Sequence, residues 1–335
     1  MKILQIVADG NPGGGTTFVL EMLKSLKNPL FLCQKGSYAI REASTLGIET
    51  YEIDFFTSRF DLRIPWRIQK ILRDTSPDLI HVHGNRAAFF LSFCRNPSPI
   101  LYTVHGLHGL YNGNALGKWG EKQALRSKDH IVFVSKWEET LAKKNNLLPH
   151  ANHQVIYNGI HLKNLPKHQP RDGKLLGFLG RLETPKDPLF MLDVMEILGP
   201  QGYHLKMIGG GTFEQTLKKS PYITVTGTLP REKALEELSK VSCVIAPSKW
   251  EAFGLVLVES LALGIPIIAA NIPAFHEILE SGKHGILISE KNPQKYAAAV
   301  LQGVSPPSPS LEKFSWEQCF TKYMAIFSDL KRSND

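Results

Sequence analysis

Short apolar runs alternate with helical patterns along almost the whole chain, and this alternation limits the folds open to it more than any other feature. The first series of strand-like runs covers 2–7, 30–34, 50–53, 79–83, 100–104, 130–134 and 154–157. Helical patterns lie between most of them, at 16–26, 40–46, 65–74, 86–94, 115–126 and 136–145. Because parallel strands need long crossover connections, usually helices, the alternation predicts a parallel sheet with helices on both faces.

A second series of the same kind follows a polar segment. Its strand-like runs are 174–179, 204–208, 223–226, 243–246, 266–269 and 285–288, and its helical patterns are 188–198, 213–219, 231–240, 255–263 and 293–301. The segment 159–173 carries two prolines and no periodic apolar positions, so it is predicted to be a linker. We therefore expect an α/β protein of two Rossmann-like domains, 1–158 and 174–304, facing each other across a cleft that holds the site. A last helical pattern, 316–332, is expected to return to the first domain.

Composition narrows the class of protein. Of the 335 residues, 43% are hydrophobic and 21% are charged, which is typical of globular proteins and excludes disordered, collagen-like and coiled-coil chains. No uninterrupted apolar run reaches the roughly 20 residues of a spanning helix, and the apolar N-terminal part is too short for a secretory signal, so a cytoplasmic protein is expected. The four cysteines lie far apart, which fits a reducing compartment and neither disulfides nor a zinc site. Since the sequence has no Asp-x-Asp motif, we expect no metal and no other cofactor.

Basic residues are concentrated in the first half. Residues 1–160 hold 19 Lys and Arg against 13 Asp and Glu, whereas 161–335 hold 20 against 18. Five cations are spaced to share one face around the helix predicted at 65–74: Arg59, Arg63, Arg67, Lys70 and Arg73. We hypothesise that this face, preceded by Phe55, Phe56 and Phe60, touches an anionic membrane; a solvated face on a packed helix is the alternative. The sequence has no basic stripe interleaved with aromatic residues, so no nucleic-acid partner is expected.

The most informative segment is 247–259, Pro-Ser-Lys-Trp-Glu-Ala-Phe-Gly-Leu-Val-Leu-Val-Glu, which runs from a strand through a turn into a helix. Backbone N–H groups at the start of a helix have no partners within it and favour anions, so a phosphate could bind there. The residues that would offer these groups are Phe253, Gly254, Leu255 and Val256. Glu251, in the turn, could accept sugar hydroxyls, and Glu259, inside the helix, could accept ribose hydroxyls. Two solvated glutamates flanking an apolar helix are the alternative.

Embedded in this pattern and followed by Gly264-Ile-Pro266 and Glu277, the two glutamates resemble those of the nucleotide-sugar-dependent glycosyltransferases of family 4, which have the GT-B fold. The resemblance implies that Arg181 and Lys186, in the turn after the strand 174–179, neutralise the departing nucleotide diphosphate.

Several neighbours of these residues leave alternatives open. Arg181 and Lys186 could instead form surface ion pairs with Glu183 and Asp187. The resemblance also places two glycine turns near the nucleotide, although each could be an ordinary turn glycine: Gly209 and Gly227.

In the first domain, the resemblance assigns roles around two loops. The glycine-rich segment 9–17 would border the donor phosphates and the acceptor pocket. The residues singled out there are Gly14, Gly15 and Thr16. His105, at the end of a strand, is carried over as a contact of the donor sugar. His81 and His83 share one face of the strand 79–83, and we interpret His83 as an acceptor-side contact and His81 as packing.

We therefore expect a retaining, metal-independent glycosyltransferase that moves a hexosyl or N-acetylhexosaminyl group from a nucleotide-sugar donor to a glycan or lipid-linked acceptor. A UDP-sugar is the expected donor and a GDP-sugar the alternative. The resemblance favours bacterial surface polysaccharide or lipopolysaccharide synthesis, peripherally at the inner face of the membrane. A nucleotide-sugar epimerase of the same fold would need acid–base groups around the sugar, which these motifs fit less well. The other alternative is a non-catalytic nucleotide-binding member, but every charged motif residue is intact.

Overall fold

The computed structural model describes residues 1–58, 60–111, 115–126, 128–148, 152–166 and 173–332. The chain divides into two compact units. The first comprises Met1–Gly159 together with the segment from Glu317 onward, and the second comprises Ile160–Trp316. The second unit is therefore inserted into the first.

The first unit is built on a sheet of seven parallel strands. In chain order the strands are β1 (Ile3–Val7), β2 (Pro29–Gln34), β3 (Glu49–Ile53), β4 (Leu79–His83), β5 (Ile100–Val104), β6 (His130–Phe133) and β7 (Asn152–Val155). The helices between them are α1 (Gly14–Ser25), α2 (Tyr38–Thr45), α3 (Arg63–Thr75), α4 (Asn85–Leu91), α5 (His108–Tyr111), α6 (Ala115–Leu125) and α7 (Lys136–Lys144). Neighbouring strands follow the order β3-β2-β1-β4-β5-β6-β7. Every residue of β1, β4 and β5 is buried, as expected for a parallel sheet covered on both faces.

The second unit repeats this plan with six parallel strands. They are β8 (Leu175–Leu179), β9 (His204–Ile208), β10 (Ile223–Val225), β11 (Cys243–Ala246), β12 (Ile267–Ala270) and β13 (Ile286–Ile288), in the order β10-β9-β8-β11-β12-β13. The helices are α8 (Phe190–Leu198), α9 (Glu214–Leu217), α10 (Arg231–Ser239), α11 (Leu255–Ala262), α12 (Pro273–Ile278) and α13 (Pro293–Gln302). Its core packs apolar side chains of α8 and α13 onto those of the central strands.

The last helix, α14 (Trp316–Arg332), packs on the first unit from Glu317 onward. Its Tyr323 is fully buried, and the Tyr323 hydroxyl lies 3.0 Å from the Thr103 hydroxyl. The Tyr323 ring also lies 5.4 Å from the ring of His81. The last helix thus returns to the first unit, as the sequence predicted, and there it contacts side chains of β4 and β5.

The predicted α/β class of two parallel sheets is confirmed, and two local differences have physical causes. Ile160, assigned to a linker, belongs to the second unit, because its N–H donates to Phe314 O and its carbonyl oxygen accepts from Trp316 N, both over 2.9 Å. Within the same predicted linker, 167–172 lie outside the described residues. Two unpredicted helices, α5 and α12, have only four and six residues, too few for a helical period to register.

None of the described helices combines the length and the apolar character needed to span a bilayer. All four cysteines are free thiols.

Candidate functional site

In the second unit, the predicted donor-side residues gather at one edge of the sheet. The strand order reverses between β8 and β11, so the loops that follow these two strands turn away from each other. In open α/β sheets, ligands bind at such a switch point, outside the carboxyl ends of the strands. The loop after β8 carries Arg181 and Lys186, and the loop after β11 carries Glu251.

An ion pair joins these two loops. The Lys186 ammonium group contacts Glu251 Oε1, and the Ser248 hydroxyl donates a hydrogen bond of 2.9 Å to the same oxygen. The loops are also joined through their backbones, since the Lys249 N–H donates to the Pro185 carbonyl oxygen over 2.9 Å. The Lys186 and Glu251 side chains are 23% and 12% exposed, so the pair is shielded from bulk water while remaining reachable. A cation beside a carboxylate can hold a phosphate and a sugar hydroxyl together.

The acidic residues that follow Arg181 and Lys186 in sequence have other partners. Glu183 accepts hydrogen bonds from the N–H and the hydroxyl of Thr212, over 2.9 and 2.8 Å. The buried Asp187 carboxylate pairs with Lys249 and Lys291, over 3.4 and 2.6 Å. The alternative of a surface pair between Lys186 and Asp187 is therefore wrong.

Arg181 follows β8 directly and is exposed. The turn beside it is packed backbone against backbone. Gly209 has a φ of 143°, and a Cβ atom built on it would lie 2.1 Å from the Gly180 carbonyl oxygen, so no other residue fits there. The Gly209 backbone bridges Gly227, whose φ is 72°. Both glycines have a steric reason to be present, and a nucleotide contact at either one stays a prediction.

Helix α11 begins at the same edge of the sheet. Gly254 precedes it with a φ of 108°, and no side chain of the described residues caps its start. A Cβ atom on Gly254 would lie 2.7 Å from the Phe275 ring, which explains the glycine. Phe253 and Val256 are buried, and Leu255 is half-buried. The start of α11 therefore offers backbone N–H groups, the arrangement that binds anions.

Glu259 lies one turn into α11 and is 1% exposed. Its Oε1 atom forms an ion pair with Arg231, the first residue of α10. The sequence analysis did not identify Arg231, because no local pattern links it to a glutamate 28 positions later. A ribose contact by Glu259 stays a prediction, and the ion pair shows what holds this carboxylate in place.

The first unit has its own switch point, between β1 and β4. Beside it, His83 Nδ1 lies 3.2 Å from His105 Nε2, and His83 Nε2 lies 2.7 Å from Gln5 Oε1. His83 is 1% exposed and both its ring nitrogens have partners within the protein, and its contact with an acceptor stays a prediction. His81 packs behind it as predicted, with ring centroids 3.9 Å apart.

Burial keeps these histidines neutral. The pKa values of His81 and His83 lie well below the ordinary value, because desolvation disfavours the charged rings and neighbouring histidines add repulsion. Burial also lowers the pKa of His105 to about 4, with His108 adding to the effect. At neutral pH all three histidines are therefore uncharged, and each ring has one nitrogen that donates a hydrogen bond and one that accepts.

The glycine-rich loop after β1 lies against the His105 ring. A Cβ atom on Gly15 would be 3.7 Å from that ring, whereas Gly14 is exposed. The Thr16 side chain is buried, and its hydroxyl donates to the Asn11 carbonyl oxygen over 2.6 Å. Thr16 therefore stabilises the loop from within, and its role as an acceptor-side contact stays a prediction.

Two buried carboxyl groups hold the segment that follows His105. Glu138 accepts from the Leu107 N–H and the Tyr111 hydroxyl, each over 2.9 Å, and Glu121 accepts from the Gly109 N–H over 2.7 Å. Neither glutamate is exposed. Burial raises the pKa of each to about 7, against the lowering effect of these hydrogen bonds.

The basic face predicted on α3 is exposed, and the structure adds an aromatic component. Ile64, Ile68 and Leu72 are buried, so the helix packs by the opposite side. Trp66, on the exposed side, is 63% exposed, and Leu62, which precedes the helix, is 85% exposed. Arg59 lies outside the described residues.

This exposed surface continues onto two neighbouring helices. Phe60 contacts Phe89 and Trp119, with ring centroids 6.1 and 6.4 Å apart, and Phe89 contacts Phe93 at 5.2 Å. We call these exposed residues the α3–α6 surface: Phe60, Leu62, Trp66, Phe93 and Trp119. The exposed cations around it are Arg63, Arg67, Lys70, Arg73, Arg95, Lys118 and Lys122.

Within the described residues, no three His, Cys, Asp or Glu side chains are grouped as a metal site.

Both halves of the chain match models of known families. Residues 12–164 match Glycosyltransferase Family 4, and residues 173–305 match Glycosyl transferases group 1. An uncharacterized glycosyltransferase of Methanocaldococcus jannaschii is 25% identical over 345 residues and covers 95% of each chain. A putative teichuronic acid biosynthesis glycosyltransferase of Bacillus subtilis is 26% identical over 69% of this chain and 62% of its own. Among solved structures, Anabaena HepE in complex with UDP and glucose has a TM-score of 0.83 at 17% identity, over 98% of this chain and 99% of that chain.

Proposed function

The chain belongs to the family 4 glycosyltransferases, and from this premise we propose that it is a retaining enzyme that transfers a hexosyl or N-acetylhexosaminyl group from a UDP-sugar. The proposed acceptor is a glycan or lipid-linked glycan of a bacterial surface polysaccharide or lipopolysaccharide. The bound UDP and glucose of HepE support the donor class, and the teichuronic acid relative supports the acceptor class.

One observation carries the proposal: at the β8–β11 switch point, Lys186 of the loop after β8 forms an ion pair with Glu251, which lies in the loop that leads into the start of α11. In the proposed complex, Lys186, Arg181 and the N–H groups of α11 surround the diphosphate, and Glu251 accepts sugar hydroxyls. These groups stabilise negative charge as it develops on the leaving phosphate, and the loops already hold them in position.

The proposed reaction breaks the bond between the anomeric carbon and the phosphate oxygen. The acceptor hydroxyl oxygen forms a bond to the same face of that carbon, and the hydroxyl proton passes to the departing phosphate oxygen. The products are the elongated acceptor and UDP. Charge stabilisation comes from side chains and backbone of this chain, so we propose that no metal is needed.

UDP is expected to stabilise the wild-type protein, because a ligand that binds only the folded state raises the melting temperature by mass action. At about 100 times Kd the stabilisation is about 2.7 kcal/mol, a shift of a few degrees. UDP should act more strongly than GDP or ADP, with Mg²⁺ or with EDTA alike. Arg181→Ala should remove the shift, and Lys283→Ala, which alters an exposed lysine of the same unit, should keep it. A chain that none of the three nucleotides stabilises would contradict the proposal.

We further propose that the enzyme works at an anionic bilayer through the α3–α6 surface. Its exposed aromatic and apolar side chains suit the boundary between headgroups and acyl chains, and its surrounding cations suit anionic lipids. Cations near such a surface each contribute about 1 kcal/mol, so binding should weaken as salt rises.

Vesicle flotation tests this surface. The wild type should float with vesicles containing phosphatidylglycerol and not with pure phosphatidylcholine. The variant Leu62→Ser/Trp66→Ser should lose most of the bound fraction, as should Arg67→Glu/Lys70→Glu. Leu301→Ser removes an exposed apolar side chain of the second unit and should leave flotation unchanged. Equal flotation of all the variants would overturn the proposal.

A further inference from the structure

A chain of hydrogen bonds leads from the sheet of the first unit to His105. Gln5 on β1 is fully buried, and its Oε1 atom lies 2.7 Å from His83 Nε2. His83 Nδ1 in turn lies 3.2 Å from His105 Nε2. The two imidazole rings are stacked, with centroids 5.4 Å apart and planes 26° from parallel. Each link therefore has the geometry of a direct hydrogen bond.

The direction of each hydrogen bond follows from the chemistry of the groups. An amide oxygen only accepts, so the proton of His83 lies on Nε2. A neutral imidazole has one N–H, and the low pKa of His83 keeps it neutral, so His83 Nδ1 is an acceptor. His105 Nε2 must then be the donor, which leaves His105 Nδ1 as an acceptor.

The His105 ring faces the start of α1. The position of a Cβ atom on Gly15 is 4.0 Å from His105 Nδ1, so the backbone of the glycine-rich loop lies beside this nitrogen. In the described part of the chain, no hydrogen bond of 3.5 Å or less to His105 Nδ1 accompanies the one at Nε2. Because His105 is only half-buried, an acceptor at its Nδ1 atom suits a hydroxyl group of a bound molecule.

We propose that Gln5 and His83 are positioning residues that fix the tautomer of His105, so that His105 Nδ1 accepts a hydrogen bond from a hydroxyl group of the bound sugar. This inference rests on the proposed function for the identity of the ligand as a sugar, whereas the tautomer is a property of the protein alone. The orientation of one buried amide then decides which hydroxyl-bearing sugars are used. A reversed Gln5 amide would invert the tautomers of both His83 and His105 and present an N–H to the sugar instead.

The tautomer is measured on the full-length protein without substrate. Histidine is labelled with ¹⁵N, and long-range ¹H–¹⁵N correlations identify the unprotonated nitrogen of each ring, with His105→Ala providing the assignment. In the wild type, the unprotonated nitrogen of His105 should be Nδ1. Gln5→Glu, whose carboxylate only accepts, should keep that pattern, and Gln5→Met should give a mixture of tautomers. A protonated His105 Nδ1 in the wild type, or no change in Gln5→Met, would overturn the proposal.

Kinetics with the donor connects the tautomer to the substrate. Gln5→Met should lower kcat/KM about tenfold, the usual effect of weakening one buried hydrogen bond, and Gln5→Glu should restore most of it. Gln34→Met replaces a glutamine of β2 that bonds Asp54 instead of a histidine, and should not lower kcat/KM. One monodeoxy donor analogue should be used equally well by the wild type and Gln5→Met, because it lacks the hydroxyl that His105 would bind. A uniform tenfold loss with every analogue would show that Gln5 has a structural role only.

The two assays fail separately. A chain that turns over no nucleotide sugar, with His105 in the expected tautomer, would contradict the proposed function. An active enzyme with the opposite tautomer would contradict this inference alone.

Discussion

Lys186→Ala is expected to lower kcat by about a hundredfold or more, the usual cost of removing one group that stabilises developing charge in a preorganised site. The ammonium group is the one that contacts Glu251, so its removal also leaves that carboxylate facing the diphosphate without its cation. Repulsion between these like charges should raise the KM for the donor as well. Steady-state kinetics with the donor named by the thermal-shift experiment measures both parameters.

Lys249→Ala is the matched control, because Lys249 joins the same two loops through its backbone N–H, which the substitution keeps, while its side chain is exposed and pairs with Asp187 rather than with Glu251. Its kcat should stay within about threefold of the wild type, since Asp187 keeps its second partner, Lys291. Near-wild-type turnover by Lys186→Ala would refute the assigned role. Glu251→Gln separates the two functions of the carboxylate. If Glu251 only holds Lys186 in place, the double variant Lys186→Ala/Glu251→Gln should be no slower than Lys186→Ala. If Glu251 also contacts the sugar, the rate losses of the two single variants should multiply in the double variant.

Acidification from about pH 7 to about pH 5 is expected to lower the free energy of unfolding through the buried histidines of the first unit. The pKa values of these histidines are lower in the folded state than in the unfolded state. Below about pH 6.5 the unfolded chain therefore binds more protons than the folded chain, which favours unfolding. Each such histidine lowers the unfolding free energy by up to about 1.4 kcal/mol per pH unit. The stability that comes from keeping such a histidine neutral is fully present above its pKa in the unfolded chain. It is lost as the pH falls towards its pKa in the folded chain, which for His105 is about 4.

The two buried glutamates act in the opposite direction. Their folded pKa of about 7 exceeds the usual 4.5, so the folded chain binds the extra protons between these values and gains stability as the pH falls. His130, which is half-buried, acts in the same direction as the three buried histidines, because burial lowers its pKa as well. The histidines therefore outnumber the two carboxyl groups, and the net effect of acidification is a loss of stability.

Urea unfolding at several pH values measures this slope. His81→Leu should flatten it, because it removes one of the three histidines. The substitution also removes the 2.8 Å hydrogen bond between His81 Nε2 and the Thr103 hydroxyl, which keeps Tyr323 as a partner, so the slope and not the stability at pH 7 is the informative quantity. A slope as steep in His81→Leu as in the wild type would contradict the argument, whatever happens to the stability at pH 7.

The strands could be predicted because burial on both faces leaves a direct trace in the sequence. β4, β5, β9 and β11 have the predicted bounds, since each is a short, mainly apolar segment in a parallel sheet. The ends of the helices are less regular, because the caps depend on backbone conformation as much as on residue type. Lys186 and Glu251 were predicted as site residues on the strength of a family motif, and their mutual contact was not.

Contacts between distant segments explain what the sequence did not reveal. Glu259 and Arg231 are on different helices, and Trp119 reaches Phe60 from another part of the chain. Gln5 differs from these residues, because the sequence alone shows that it is unusual: it is the only polar residue in the apolar run of β1. A polar side chain inside a buried strand must find a partner, and its partner here turns out to be His83.

The insertion of the second unit into the first has a consequence for biosynthesis. Ile160 and Ser315 form a parallel bridge, so the inserted unit leaves and rejoins the first at one place, and its two ends are neighbours. A nascent chain can therefore complete the second unit as soon as Trp316 has left the ribosome. The first unit, although translated earlier, must wait for α14, because Tyr323 supplies the hydroxyl group that meets Thr103. The order in which the two units become complete is thus the reverse of the order in which they begin.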